Sequence, residues 1–290
     1  MAQQLDRSTE DLGNIVALEH VNVQIPDQRL STLFYVAGLG LTRDPYLMTS
    51  TNNMWVNIGR SQFHLPTGEP QRLRGRVGLV IPDLEGLVRR LKKVRDELGD
   101  TEFDFAPAND HVDATSPWGN RIRLHEPDER FGRMRLGMAY VRPDVPAGSA
   151  AGIARFYDEI VGARATLDED DGAPAAFVSV GHNQTLVFRE TEDPIPDYDN
   201  HHIQVYVADF SGPYERLLAR GLVSQEDGQH QYRFRDIVDP GSGEVLFTLE
   251  HEVRSMTHPL YARPLVNRNP DHTNWNYVLG YENEPAALPI

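Results

Sequence analysis

The chain contains no cysteine in its 290 residues. Disulfides and thiolate nucleophiles are thereby excluded, and His, Asp and Glu are left as the strong metal-binding side chains. Basic residues are scarce relative to acidic ones: 28 Lys and Arg against 43 Asp and Glu give a formal charge of −15. A nucleic acid held through its phosphates requires clustered cations, so that partner is excluded, as is an anionic membrane surface. No apolar run approaches the ~18 residues of a membrane-crossing helix. The opening stretch, Met1 to Asn14, is polar and acidic without a basic segment or an apolar one, so a cytoplasmic location is expected. Phosphate loop, dinucleotide-binding glycine fingerprint and nucleophile-elbow serine are all missing. What remains is a chain of ordinary hydrophobic content, 40%, suited to a small-molecule substrate. Assembly into a homo-oligomer is left open.

What is present is a unit that occurs four times. Four segments begin with a short strand-like run: "HVNVQIPD" from His20, "RVGLVIPD" from Arg76, "GMAYVRPD" from Gly137 and "HIQVYVAD" from His202. All four end on aspartate, namely Asp27, Asp83, Asp144 and Asp209. Each is followed by a helical pattern; Leu87, Leu91 and Val94 are spaced for one buried helix face. Gly38, Gly162 and Gly221 fall where those helices would end. Further strand-like pieces follow, among them the hairpins "MWVNIGRSQFHLP" and "AAFVSVGHNQTLVF", in which Gly59 matches Gly181 and Gln62 matches Gln184. The unit is therefore a strand, a helix and about three strands.

That order resembles the βαβββ module of the vicinal oxygen chelate superfamily, which includes glyoxalase I, extradiol ring-cleaving dioxygenases, epimerases and small-molecule resistance proteins. Phrases such as "FYVAGLGLT", "FYDEIVGA" and "SPWGNRIRLHEP" are similar to the helix end and glycine turn of that module. The resemblance runs from Ile15 to Arg254. It implies an α+β fold in which four βαβββ modules form two cupped mixed sheets flanked by helices. The expected division is 15–130 for the first pair of modules, 131–254 for the second, with the boundary near Asp128 to Arg135, and 255–290 for a C-terminal arm.

Alternation along a strand decides which residues face the cup. Val21, Val23 and Ile25 should face the helix, leaving His20, Asn22 and Gln24 on the other side. Ile203, Val205 and Val207 should do the same, leaving His202, Gln204 and Tyr206. The resemblance implies metal ligands on the first and last strands of a module. At the first-strand position stand His20, Arg76, Gly137 and His202; at the last-strand position stand His64, Arg123 and Leu186. In the fourth module the acidic candidate is Glu250, with Thr248, His251 and Glu252 as alternatives if the "PGSG" turn shifts the register. If module one pairs with module four, His20, His64, His202 and Glu250 converge on one divalent metal ion; Fe, Mn, Zn, Ni and Co all suit three imidazoles and a carboxylate. If modules pair in sequence, no such set forms. The two pairings stay open.

Other residues carry secondary expectations. Asn22, Gln204, Tyr206 and Arg254 are candidate substrate-binding groups. His258 and Tyr261, in the polar–aromatic segment 250–270, are candidate catalytic groups if that segment folds over the cup; Trp275 and Tyr277 are expected as packing anchors. Arg76 and Arg123 either bind a substrate carboxylate or fill a degenerate site with salt bridges. His201 should face the helix side, and the acidic stretch Leu167 to Pro174 should be a solvated hairpin. The function implied is a metal-dependent enzyme acting on a small catechol-like or 2-oxo compound, dioxygenase-like or lyase-like. The alternative is a metal-free binding or resistance protein.

Overall fold

The computed structural model describes residues 5–47 and 50–280. Four βαβββ modules follow one another along the chain. The first holds β1 (Ile15–Asn22), α1 (Gln28–Ser31) with a π-helical continuation over Thr32–Gly38, β2 (Thr42–Arg43), β3 (Asn53–Ile58) and β4 (Ser61–Pro66). The second holds β5 (Gly75–Val80), α2 (Leu84–Val94), β6 (Asp104–Pro107), β7 (His111–Thr115) and β8 (Arg121–His125). The third holds β9 (Gly137–Pro146), α3 (Ala150–Phe156) with a π-helical turn over Tyr157–Val161, β10 (Ala165–Asp170), β11 (Ala173–Gly181) and β12 (Gln184–Thr191). The fourth holds β13 (His202–Val207), α4 (Ser211–Leu218), β14 (Val223–Glu226), β15 (Gln231–Val238) and β16 (Val245–Ser255).

The repeated aspartates explain where the helices start. Asp27 accepts from the Leu30 N–H at 2.9 Å, Asp83 from Gly86 at 2.8 Å and Asp209 from Gly212 at 3.0 Å, each satisfying a donor that the first helical turn leaves free. Asp144 is the exception. It lies inside the ten-residue β9 and pairs with Arg121 and Arg142, while Glu190 from β12 accepts from the Ala150 N–H at 2.8 Å and takes over the cap.

The strands form two eight-stranded mixed sheets. One runs β14-β15-β16-β13-β1-β4-β3-β2 and the other β10-β11-β12-β9-β5-β8-β7-β6. Module one therefore pairs with module four, and module two with module three. The division at 130/131 separates successive pairs of modules but does not separate the sheets, because β1 hydrogen-bonds β13 across it. Val21, Val23 and Ile25, with Ile203, Val205 and Val207, are buried on the helix side as the alternation required. Between the sheets Gln184 reaches across to β1: the Leu18 N–H donates to its Oε1 at 3.0 Å, and its Nε2 donates to the Leu18 carbonyl at 2.9 Å.

After Ser255 the chain turns back along the cup side of module one. Arg263 pairs with the buried Asp44 at 2.7 Å, Asn57 donates to the Val266 carbonyl, and Asn267 bonds both the N–H and the carbonyl of Gly59. Asn267 is the anchor of this arm, buried at 5% exposure, whereas Trp275 is 91% exposed and so does not serve as one. The last ten residues of the expected arm lie outside the described residues.

Candidate metal centre

The centre is built on the seam between modules one and four. β1 and β13 run antiparallel, with His20 opposite Gln204 and Asn22 opposite His202. Strands β4 and β16 lie parallel on the outer sides, and the same offset holds on both: Asn22 faces His64, and Gln204 faces Glu252. The register therefore gives Glu252, not Glu250, the place on β16 that His64 holds on β4. Glu250 lines up with His202 itself, as Gln62 does with His20. Thr248, Glu250, Glu252 and Arg254 share the cup face; His251 lies on the helix side, where it meets the Tyr157 hydroxyl at 2.6 Å and stacks on Phe234.

Three histidines converge. One ring nitrogen of each of His20, His64 and His202 lies within 4.8 Å of the others, and this is the one such His, Cys, Asp or Glu group among the described residues. Both ring nitrogens of His20 are buried without a partner, as are Nε2 of His64 and of His202. Unsatisfied buried polar atoms are costly and uncommon, so three imidazoles gathered in this way mark a candidate ligand site. Burial holds all three well below the ordinary histidine pKa, His64 at about 2, with each of the others reinforced by a nearby positive charge. The rings are neutral at physiological pH, which is the form that coordinates. Trp55 lies flat on His64, 3.8 Å between ring centres, and meets His20 edge-on.

Around the imidazoles lies a charged network. Arg233 pairs with Glu250 at 2.5 Å, with Asp227 at 3.1 Å and with Glu252. Arg254 bonds Glu252 at 2.6 Å, Glu19 at 3.2 Å and Gln231 at 2.8 Å. All three guanidinium nitrogens of Arg254, expected as a substrate group, are thus taken by protein. Four carboxylates meet two guanidiniums here, leaving two formal negative charges that neutral imidazoles do not offset. Burial pushes the carboxyls of Glu19 and Glu252 up, against the pull of Arg254 on both. A divalent cation fits this set by both donor type and charge.

The remaining expected residues fall as follows. Asn22, Gln204 and Tyr206 are buried on the cup face, and both amide atoms of Gln204 lack partners. Tyr261 packs edge-on against Tyr206 at 4.9 Å, with His258 on the same ring at 6.3 Å. His201 is tied to Asp199 at 2.6 Å. Alternation missed Glu19. It reaches the cup through a bulge in β1 between Leu18 and His20, and no local signal such as glycine marks that bulge.

The second cup is different. Its register places Arg76 opposite Arg142 and Gly78 beside Arg123, with Tyr140, not Gly137, at the position of His202. Arg123 makes two bonds to Asp113 at 2.7 and 2.9 Å, and Arg76 pairs with Asp171 at the tip of the β10–β11 hairpin at 2.8 Å. Of the two readings for these arginines, the structure contains the salt bridges.

No family model matches the sequence, and no curated protein matches it. Solved structures do. Glyoxalase I from Zea mays superposes with a TM-score of 0.56 at 13% identity, over 87% of this chain and 95% of that one. A protein named "putative dioxygenase" from Bacillus subtilis subsp. subtilis str. 168 superposes with a TM-score of 0.55 at 15% identity, over 84% and 86%. At such identities the likeness shows the fold alone: the chain shares the α+β fold of these two structures. No described helix is long and apolar enough to cross a membrane.

Proposed function

We propose that the protein is a divalent-metal-dependent enzyme acting on a small molecule that offers two neighbouring oxygens, and that its reaction is of the lyase or isomerase kind. The carrying observation is the convergence of three neutral, buried imidazoles with unpartnered nitrogens on one point, beside a carboxylate in register. His20, His64, His202 and Glu252 would hold the ion, with Glu252 in place of Glu250. A bound divalent cation supplies Lewis acidity, drawing electron density from substrate oxygens and acidifying an adjacent C–H. The chain's own residues do the rest. Gln204, with a free buried amide, hydrogen-bonds a substrate oxygen and fixes its orientation. Glu252 would accept a substrate proton and return it. Tyr206, Tyr261 and the arm exclude water from the cup.

A second reading, oxygenase chemistry on an aromatic substrate, is favoured by one observation: Trp55, Tyr206 and Tyr261 give the cup aromatic walls. Metal content by mass spectrometry, before and after chelation and again after reconstitution, tests the proposal. One bound ion per chain, lost in His64→Ala, is expected. Zinc, nickel or cobalt with turnover of 2-oxo compounds supports the first reading; iron with oxygen uptake on catechols supports the second. A chain that takes up no metal on reconstitution overturns both and leaves a small-molecule binding protein.

A further inference from the structure

Two glutamates stand beside the imidazoles but outside the ligand set. Glu19 is on the cup face only because β1 bulges: Leu18 pairs with Val205 and His20 with Gln204, so one residue of β1 has no counterpart. The bulge turns Glu19 and His20 to the same side. Oε2 of Glu19 then lies 3.5 Å from Nδ1 of His20, and Oε1 of Glu250 lies 3.7 Å from Nδ1 of His202. On its other side, Nε2 of His202 is 3.6 Å from Glu252. Each first-strand histidine therefore has one carboxylate at ion-pair distance from its Nδ1, short of a hydrogen bond, and an Nε2 that is buried without a hydrogen-bond partner.

We propose that Glu19 and Glu250 are positioning residues that accept the Nδ1–H of His20 and His202, so that both rings present an unprotonated Nε2 to the metal. The proposal rests on the metal-centre reading above. A neutral imidazole carries one ring proton, and the nitrogen that holds it cannot coordinate; an acceptor beside Nδ1 selects the tautomer and fixes the ring plane. The rest of the network keeps the two acceptors in place. Arg254 holds Glu19 and Arg233 holds Glu250. Gln184, from the other sheet, supplies hydrogen bonds to the N–H and carbonyl of Leu18 at the bulge, so the bulge is braced from outside its own sheet. Glu19 in turn accepts from the Tyr206 hydroxyl at 3.4 Å. His64 lies beyond both glutamates and takes its orientation from the face of Trp55 instead.

Co(II) is the probe, because its visible absorption reports the number and type of its ligands. The metal-free protein and the variants Glu19→Gln, Glu19→Asp and Glu250→Gln are titrated with Co(II) in competition with a chromophoric chelator. An amide keeps the size of the carboxylate but loses its charge, and removal of an outer carboxylate partner typically weakens metal binding by roughly 10–100-fold. That loss, with an altered Co(II) spectrum and a metal-free protein that still melts in one cooperative step, is expected for both Gln variants. Should Glu19→Gln not fold, Glu19→Asp carries the test: its shorter carboxylate falls short of Nδ1, and weakened binding is again expected. Co(II) affinity and spectrum equal to those of the unaltered protein in the Glu19 variants would overturn the proposal alone. Failure of the unaltered protein to bind Co(II) would overturn the metal centre and this proposal with it.

Discussion

At the scale of single residues, the fourth ligand proposed for the metal turns on a two-residue offset. His64 stands two places beyond His20 across β1 and β4, and Glu252 stands two places beyond His202 across β13 and β16. Glu252→Gln should therefore reduce metal affinity by more than 100-fold, beyond the roughly 10–100-fold of an outer-partner change such as Glu250→Gln. Chelator competition measures both, and the reverse ranking would return the ligand role to Glu250. Arg254 allows a different test. It lies between Glu19 and Glu252, all three nearly buried. Arg254→Ala leaves the buried Glu19 without its guanidinium partner and Glu252 with Arg233 alone, and a loss of ~3–5 kcal/mol in urea unfolding is expected; a loss below ~1 kcal/mol would show that water already solvates Glu19. His20, His64 and His202 were legible in sequence because they sit at matched positions of a repeat. Glu19 was not, since a bulge breaks the period of two on which facing is judged, and Glu252 was obscured because the "PGSG" turn offers no fixed count into β16.

At the scale of elements, strand facing and the helix that follows each repeated aspartate could be read from the chain, because each depends on neighbours within a few residues. Pairing could not. Whether β1 joins β13 or β5 is decided by surfaces more than a hundred residues apart. The β3–β4 turn shows how tightly the chosen pairing is built. Gly59 has a φ of +62°, and a Cβ there would come 2.1 Å from the Leu136 carbonyl oxygen, at the entrance to module three. The same turn receives Asn267 from the arm. Gly59→Ala meets both the left-handed backbone and a fixed carbonyl, so a stability loss greater than ~1 kcal/mol is expected. An unchanged urea midpoint would mean that the hairpin and Leu136 separate easily. Because β4 carries His64, a displaced turn should also weaken metal binding, which the Co(II) titration detects.

At the scale of the whole molecule, buried neutral histidines tie folding to pH and to metal. Burial lowers His251, in the core behind the cup, to about 4 and His125, in the second sheet, to about 4 as well. In the unfolded chain each titrates near ~6.5. Between those values the unfolded state binds protons that the folded state refuses, so stability is full above pH ~6.5 and declines as the pH falls toward 4. The melting temperature of the metal-free protein should drop across that window. His251→Gln should flatten the drop, since the replacement does not titrate; an equally steep decline in that variant would assign the effect to other groups. A metal ion held as proposed acts in the opposite direction at the same seam. An ion that binds only the folded protein adds ~2.7 kcal/mol when its free concentration is a hundred times the Kd. Its ligands span residues from β1 to β16, so that increment should appear as one cooperative rise in melting temperature, not as stabilisation of half the chain. Because burial keeps the three imidazoles unprotonated well below the ordinary histidine range, the rise should persist as the pH falls to 5. Calorimetry with and without Zn(II) from pH 8 to 5 gives the answer: a metal-dependent shift that fades between pH 7 and 5 would mean that the ligands take up protons in the ordinary histidine range, and that burial does not hold these imidazoles neutral.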